Sequence, residues 1–341
     1  MPRKKKTPKE QFKLSEPIDL TPDEQGVMSL ASDNTPGPTE PGQAEWWDVS
    51  NDRYHKDQEW LSLSTFEPFL ESIPLFEGLH ITHTIPPPYA KPTAKDRFYS
   101  IGSMVHLYIL EPEKVKDVYV VEDHNATTKE GRILRDDMLA RERKGQLCLF
   151  HSELLQAADM AANVSLHKEV KRLLEATGRY EQGARWIEPQ NEIKIKVKYD
   201  KIITTPFEFN KQKYKPGVFW DLKIAIDPYP QGFSRAVDRF GYAHQAMLYQ
   251  MVRNALFDYH EPSSSGEINR TVPSFNVCVG KNPPYEVVVY KIDDHSLMFA
   301  KEEIMKGLNQ LKICRKRDIW PSRYRQGVFT ATLPPWRMNQ Q

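Results

Sequence analysis

Residues 193–200 read Ile-Lys-Ile-Lys-Val-Lys-Tyr-Asp, an alternation of apolar and polar side chains that ends on a carboxylate. A period of two is typical of a half-buried β-strand, with one face against a core and the other face polar. Residues 218–226 read Val-Phe-Trp-Asp-Leu-Lys-Ile-Ala-Ile and lie between the turn signals Pro216-Gly217 and Asp227-Pro228. The second stretch is therefore predicted to be another strand.

The two predicted strands carry side chains suited to a divalent cation. Asp200 stands at the polar end of the first strand, and Asp221 and Lys223 project together from the second, opposite Trp220 and Leu222. If the strands pair as a hairpin, Asp200 and Asp221 converge on one ion. Mg²⁺ takes oxygen ligands and is usually held by one or two carboxylates, water and substrate phosphate. The pattern favours phosphodiester hydrolysis with Lys223 offsetting negative charge, although an Asp-x-Lys triplet alone is usually a solvated ion pair.

A long helix is predicted next, over residues 232–259, where apolar side chains recur at helical spacing. Gln245 and Tyr249 are i,i+4 neighbours in this pattern, and Tyr242 lies on nearly the same face. The Gln/Tyr pair could hold a DNA phosphate or orient the lysine. The same pair also fits the edge of an ordinary amphipathic helix.

An earlier helix is predicted over residues 101–112, where an apolar run closes at Pro112. It contains one imidazole, His106. A lone histidine on such a face is more often a core residue than a metal ligand, so its assignment depends on the other motifs.

The ordered set of these motifs resembles the RecB-like branch of PD-(D/E)XK nucleases and, more narrowly, the exodeoxyribonuclease VIII family of phage and bacterial recombination exonucleases. The resemblance runs from about Tyr54 to Trp336. The residues that carry it are Gly102 to His106, Leu110 to Glu113, Asp200, Asp221-Leu222-Lys223, Tyr242 to Tyr249 and Pro283-Pro284-Tyr285. It implies an α/β fold with a restriction-endonuclease-like core, a mixed central β-sheet flanked by helices.

The same resemblance implies a set of site residues. Lys223 is the catalytic lysine, and Gln245 and Tyr249 support it. The implied metal ligands are His106, Asp200, Asp221 and an additional glutamate, which is matched to Glu181 with Glu188 as the alternative. The implied cofactor is Mg²⁺, with Mn²⁺ as a substitute.

The resemblance also implies a substrate and partners. The activity is Mg²⁺-dependent exonucleolytic degradation of linear double-stranded DNA from the 5′ end, in recombination and repair. A ring-shaped homo-oligomer and a single-strand annealing protein are the implied partners. Many relatives carry two threonines after the lysine where this chain has Ile224-Ala225, which concerns DNA affinity. Two alternatives follow, a catalytically weak DNA-binding module with the same fold and a structure-specific or single-strand nuclease of the superfamily.

Composition fits an enzyme whose DNA contacts are local. The chain has 341 residues, 39% of them hydrophobic, and a formal net charge of +1. Attraction to DNA is therefore expected from patches rather than from the whole molecule. The candidate patches are Lys194, Lys196, Lys198 and Lys201, and Lys211, Lys213 and Lys215, each of which could also be a solvated strand or loop face.

Cysteine usage and hydropathy bear on the compartment. Cys148, Cys278 and Cys314 lie far apart and lack the spacing of a metal site or an iron–sulfur cluster. The sequence shows no apolar stretch long enough for a membrane span and no secretory signal pattern. The cytoplasm is the expected location, without membrane association.

The chain is expected to consist of a tail and one folded domain. Residues 1–45 are rich in polar residues and proline and are predicted to be a disordered tail, whereas residues 46–341 are predicted to form a single nuclease domain.

Near the C-terminus, strands are predicted at 274–279 and 286–292, followed by a helix that Asp293 or Asp294 caps and that ends near Lys316.

Overall fold

The computed structural model describes residues 37–85, 94–124, 127–257 and 272–322, with Val328 and Ala331, and of residues 94–99 only the backbone. The strands of this part are β1 (Ala44–Trp47), β2 (Tyr119–Val121), β3 (Cys148–Phe150), β4 (Gly178–Ile187), β5 (Lys194–Ile203), β6 (Phe207–Phe209), β7 (Gln212–Tyr214), β8 (Phe219–Ala225), β9 (Ser274–Gly280) and β10 (Val287–Tyr290). The helices are α1 (Asn51–Lys56), α2 (Leu63–Glu71), α3 (Ile73–His80), α4 (Ala94–Leu110), α5 (Lys129–Glu142), α6 (His151–Leu166), α7 (Lys168–Glu175), α8 (Pro230–Arg239), α9 (Tyr242–Leu256) and α10 (Asp294–Arg317).

Six of these strands form the central sheet, in the order β1-β4-β5-β8-β9-β10. The pair β8 and β9 is parallel, and the other neighbours are antiparallel. Helices pack on both faces. The predicted mixed sheet flanked by helices is therefore confirmed.

The two faces of the sheet bury separate hydrophobic clusters. Apolar side chains of α2, α3, α9 and α10 pack on one face, against Val197, Tyr199 and Phe219 among others. Side chains of α4, α6 and α7 pack on the other face, against Trp220 and Leu222. The alternation predicted for the Asp221 strand is thus confirmed, because Phe219 and Trp220 enter opposite clusters.

The strand pair that was predicted to be a simple hairpin is antiparallel but is not joined by a tight turn. β5 and β8 pair at Lys201 with Trp220 and at Ile202 with Phe219. Between them the chain forms the separate hairpin of β6 and β7, whose turn residues Asn210 and Lys211 have φ of 51° and 63°. Positive φ at both central residues is the geometry of a two-residue hairpin turn.

The prediction of one continuous helix over residues 232–259 is wrong. The chain forms α8 and α9 instead, and the break falls at Phe240-Gly241, where Gly241 has φ of 61°. A glycine reaches this left-handed region without strain. A Cβ at this position would also lie 2.5 Å from Oε1 of Glu67, so any larger residue would displace the end of the Glu67 side chain.

The other predicted elements correspond to observed ones. The His106 helix is α4, which begins before the predicted start and ends ahead of Pro112. The strands predicted after residue 272 are β9 and β10, and α10 begins after Asp293, whose carboxylate accepts a hydrogen bond of 2.9 Å from the Ser296 amide. No helix among the described residues combines the length and the apolar character needed to cross a lipid bilayer.

Residues 37–45, the last part of the predicted tail, fall within the described residues. Residues 1–36 lie outside the described residues. Residues 37–45 are ordered, since β1 begins at Ala44 and pairs with β4. A Cβ added to Gly37 would lie 2.5 Å from the Trp60 ring, so packing already begins before β1.

Candidate active site

Three carboxylates stand in one row across three neighbouring strands. The register of β4 and β5 pairs Tyr180 with Lys201 and Gln182 with Tyr199, which places Glu181 opposite Asp200. The register of β5 and β8 pairs Lys201 with Trp220, and Asp200 and Asp221 are the residues next to this pair in the two strands. The sequence suggested a site at the ends of the strands. The structure places these residues inside the strands instead. The charges of Glu181 and Asp221 both act on Asp200, so the three carboxylates lie close together.

Asp200 is the middle member of the row and is held by the backbone. Its Oδ2 accepts a hydrogen bond of 2.7 Å from the amide of Leu222 and lies 3.8 Å from Nδ1 of His106. Burial, followed by the charges of Asp221 and Glu181, raises the pKa of Asp200 well above its ordinary value, although the Leu222 amide and Lys223 oppose the shift. Clustered carboxylates with little solvent repel one another. A cation at this position would relieve that repulsion.

Three of the predicted ligands come together. His106, Glu181 and Asp200 each offer one ligand atom, and these atoms lie within 4.8 Å of one another. Burial lowers the pKa of His106, which favours the neutral imidazole that a metal binds. Two carboxylates and an imidazole suit a divalent ion, with the oxygens suited to Mg²⁺ and the nitrogen also acceptable to Mn²⁺. The donor set therefore fits the implied metal.

The fourth predicted ligand, Asp221, is engaged differently. Its Oδ2 forms a salt bridge with the Lys223 ammonium, and its Oδ1 accepts a hydrogen bond of 3.0 Å from Nε2 of Gln245. Asp221 still lies close enough to His106 to affect its pKa through charge. In the described structure Asp221 thus links the group of His106, Glu181 and Asp200 to the lysine.

Lys223, Asp221 and Gln245 form a closed set of contacts. Lys223 Nζ donates to Oε1 of Gln245 at 2.7 Å and lies 4.4 Å from the centre of the Tyr242 ring. The Lys223 and Asp221 side chains are each 13% exposed. Burial alone would lower the pKa of Lys223, but Asp221 and Tyr242 outweigh it and the net shift is upward. The lysine is therefore held as a charged ammonium beside the row of carboxylates.

Tyr249 supports Gln245 one helical turn further along α9. Its ring packs against Tyr199 and Phe219 at centroid distances of 5.2 and 6.0 Å. Burial raises the pKa of Tyr249 well above its ordinary value, so the hydroxyl stays protonated. The predicted Gln/Tyr pair is thus adjacent to the lysine.

The structure distinguishes the two candidate glutamates. Glu181 lies at the site, with φ of 47° inside β4, and its Oε2 accepts a hydrogen bond of 2.7 Å from Lys198. Glu188 is 2% exposed and caps the turn between β4 and β5, where its oxygens accept hydrogen bonds from the amides of Gln190 and Asn191 at 3.0 and 2.6 Å. Glu188 therefore has a structural role in the turn, and Glu181 is the glutamate beside His106 and Asp200.

The lysine row of β5, one of the two candidate patches in the sequence, makes contacts within the chain. Lys194 pairs with Glu59, and Lys196 donates to the backbone oxygens of Tyr54 and Asp57. These contacts fasten the α1 region to the sheet. Lys201 is fully buried and donates to the backbone oxygen of Leu174 and to the Tyr180 hydroxyl.

Lys198 is the member of that row that reaches the site, and the sequence analysis missed this role. Its ammonium bonds Glu181 and also Asn51 of α1. The available signal was its spacing of two residues before Asp200, which puts both side chains on one face of β5. The second predicted patch, Lys211, Lys213 and Lys215, is exposed on the β6–β7 hairpin.

Comparison with known proteins identifies the family to which this chain belongs. No curated protein matches the chain. A solved structure from Eubacterium rectale, described as "Putative exonuclease", is similar with a TM-score of 0.48 and 16% sequence identity, over 86% of this chain and 98% of that one. A family model described as a PDDEXK-like domain of unknown function (DUF3799) matches residues 89–326 and confirms the resemblance to the PD-(D/E)XK nucleases. Since this match spans most of the sequence and contains every site residue described above, the chain belongs to the PDDEXK-like family DUF3799.

Proposed function

We propose that the protein is a Mg²⁺-dependent exodeoxyribonuclease that degrades linear double-stranded DNA. One observation carries the proposal: the three-residue group of His106, Glu181 and Asp200 adjoins a lysine held in place by Asp221 and Gln245. A partly buried row of carboxylates beside a fixed ammonium is suited to cleavage of a phosphodiester. The proposal takes residues 46–341 as one nuclease domain.

The roles follow from the contacts of each side chain. A bound divalent cation supplies Lewis-acid polarisation of the phosphate and acidifies water. His106, Glu181 and Asp200 would hold that ion, with Asp221 at its border. Lys223 places its positive charge where negative charge develops on the phosphate, and this charge is preorganised because Gln245 and Asp221 fix the ammonium.

The resemblance to the exodeoxyribonuclease VIII family supports the finer assignments. These are degradation from the 5′ end in recombination and repair, a ring-shaped homo-oligomer, a single-strand annealing partner and a cytoplasmic location. The three cysteines are buried thiols, which agrees with a reducing compartment. Mn²⁺ is expected to replace Mg²⁺.

The argument for the alternative function, a catalytically weak DNA-binding module with the same fold, is weakened at one position. It rested on Ile224-Ala225 in place of two threonines. The Ile224 side chain packs with the α4 and α6 cluster, and its Cδ1 lies 3.6 Å from the Cβ position of Gly102. A hydroxyl at position 224 would therefore point away from Lys223, whereas position 225 lies on the same face of β8 as Asp221 and Lys223.

A single gel experiment tests the proposal. A linear duplex labelled at its 5′ or 3′ end is incubated with the protein in Mg²⁺ or EDTA, beside a closed circle and the Lys223→Ala variant. We expect Mg²⁺-dependent loss of the linear substrate alone, with early release of the 5′ label and no loss with the variant. Cleavage of the circle would instead indicate an endonuclease. If folded protein cleaves none of these substrates, the binding module becomes the better assignment.

A further inference from the structure

An exposed aromatic ring stands beside the site and has no role in the arrangement described so far. Phe240 ends α8 and is 53% exposed. Its ring stacks on Tyr242 at a centroid distance of 5.8 Å and an interplanar angle of 29°. Tyr242 in turn covers the Lys223 ammonium at 4.4 Å. We call Phe240 and Tyr242 the aromatic ledge.

The ledge is anchored from behind. Tyr242 contacts Phe233 at 5.9 Å, and Phe233 stacks on Tyr290 of β10 at 4.2 Å with an interplanar angle of 8°. The row of rings thus begins in the edge strand of the sheet and ends in solvent at Phe240. A ring fixed in this way presents its exposed part without the entropy cost of ordering a mobile side chain.

The break between α8 and α9 sets the position of Phe240. Gly241, at φ of 61°, turns the chain between the two rings, and α2 lies so close that a Cβ there would meet Glu67. Phe240 consequently projects at the border of the site and not along the buried stripe of a continuous helix. Isolated exposed apolar residues are common on protein surfaces and need no explanation. Phe240 differs from these because its ring is continuous, through one neighbour, with the proposed catalytic lysine.

A positively charged side chain lies next to the Phe240 ring. The guanidinium of Arg239 lies 5.5 Å from the centre of the Phe240 ring. An aromatic face with an adjacent cation is the combination that binds a nucleobase together with its phosphate, and such stacking is tolerant of sequence because every base has a π-face. A nucleobase can use this face after it has left the duplex stack.

We propose that Phe240 stacks on an unpaired nucleobase of the strand whose phosphate is held at Lys223. The inference rests on the proposed function and makes it more specific. The strand in the site is single-stranded, either as free single-stranded DNA or as a duplex end whose terminal pairs have opened. A fully paired duplex without ends cannot place a base on the ledge.

Binding measurements without cleavage test this proposal apart from the proposed function. Oligonucleotides carry the fluorescent base 2-aminopurine at one of the first four positions from an end, as single strands, as duplexes with mismatched ends, and as duplexes closed by hairpin caps. They are titrated with protein in Ca²⁺, and gels confirm that the strands stay intact. We expect quenching at one position in the single strand and in the mismatched duplex.

The variants identify the ring. Phe240→Ala should abolish the quenching and raise the Kd for single strands about 5- to 150-fold, the range for loss of one base–aromatic stack. Phe240→Trp should retain both, whereas Phe240→Leu, which keeps apolar volume without a π-face, should behave like Phe240→Ala. The control is Leu166→Ala, which removes an 80% exposed side chain at the end of α6 and should change neither quantity.

Several results would overturn the inference. One is a folded Phe240→Ala protein with unchanged Kd and quenching, and another is full function in Phe240→Leu. Equal weakening by Leu166→Ala would show that the effect is not specific to the ring. A change in self-association with unaltered DNA binding would assign Phe240 to a subunit contact. Failure of the wild-type protein to cleave any DNA in Mg²⁺ would count against the proposed function instead.

Discussion

The ammonium of Lys198 donates a hydrogen bond of 2.7 Å to the carboxylate of Glu181, across neighbouring strands of the central sheet. At the other end of the row, the ammonium of Lys223 forms a salt bridge with the carboxylate of Asp221. The row of carboxylates is therefore flanked by a lysine on either side. Lys198 bonds the first carboxylate of the row, and Lys223 bonds the last.

This relationship predicts different effects for the two glutamates that the sequence could not separate. Glu181→Gln removes a charge from the three-residue metal group, so it should weaken binding of Mn²⁺ by on the order of 10- to 100-fold. Glu188→Gln should leave Mn²⁺ binding unchanged. It should instead lower the melting temperature, because a buried carboxylate that accepts two amide hydrogen bonds is lost.

Isothermal titration calorimetry with Mn²⁺ and thermal denaturation followed by circular dichroism measure the two effects. The two variants make the same chemical change seven residues apart, so each serves as the control for the other. Weaker Mn²⁺ binding in Glu188→Gln with wild-type binding in Glu181→Gln would contradict the assignment.

The second prediction concerns the lysine and its aspartate. Lys223→Met should lower the rate of a single turnover by roughly 10²- to 10³-fold, the cost of losing one preorganised charge at a transition state. Asp221→Ala should abolish cleavage and leave the fold intact, since the side chain contacts Lys223 and Gln245 and does not enter either core cluster. Strong residual cleavage by folded Asp221→Ala protein would refute the role of this residue.

The third prediction concerns Gln245, which acts through its neighbours. Gln245→Leu removes the acceptor of Lys223 and a donor to Asp221, while the salt bridge between these two remains. The rate should fall by less than in Lys223→Met, and the double variant should be no slower than Lys223→Met alone, because the two residues act as a unit.

Gln250→Leu provides the matched control for Gln245→Leu. Gln250 lies on the same helix but is buried and donates to Ser274. Its replacement should affect stability and leave the cleavage rate near the wild-type value. Additive losses in the double variant of Lys223 and Gln245 would indicate that the glutamine has an independent role.

Local periodicity explains why much of the site was predictable. The period of two in β5 and β8 fixes the faces of Asp200, Asp221 and Lys223, and the i,i+4 spacing puts Gln245 and Tyr249 together. The choice between Glu181 and Glu188 was not predictable in this way, because it depends on the register of β4 against β5. That register is a non-local property.

Two further errors have the same origin. The lysines of β5 alternate as a solvated row would, but α1 returns to the sheet and supplies backbone oxygens that bind Lys196. Strand β4 was not recognised since it contains two glycines and several charges. One of these charges, Arg185, is buried because its guanidinium lies 3.7 Å from the centre of the Trp47 ring. Tertiary contacts therefore overrode the local pattern in both places.

The last prediction is a pH dependence of stability that originates in Lys201. Burial lowers the pKa of Lys201 from 10.5 to about 7 in the folded protein. Between these two pH values the unfolded chain holds a proton that the folded protein has released, so the free energy of unfolding should rise with pH from 7 toward 10. Burial acts in the same direction on Lys196, whose pKa falls to about 8.

Urea denaturation at pH 7, 8 and 9 measures the slope of the free energy of unfolding against pH. The Lys201→Met substitution should reduce that slope because one of the two groups is gone. An equal slope in the variant would mean that Lys201 keeps its proton in the folded state, held by the oxygen of Leu174 and the hydroxyl of Tyr180.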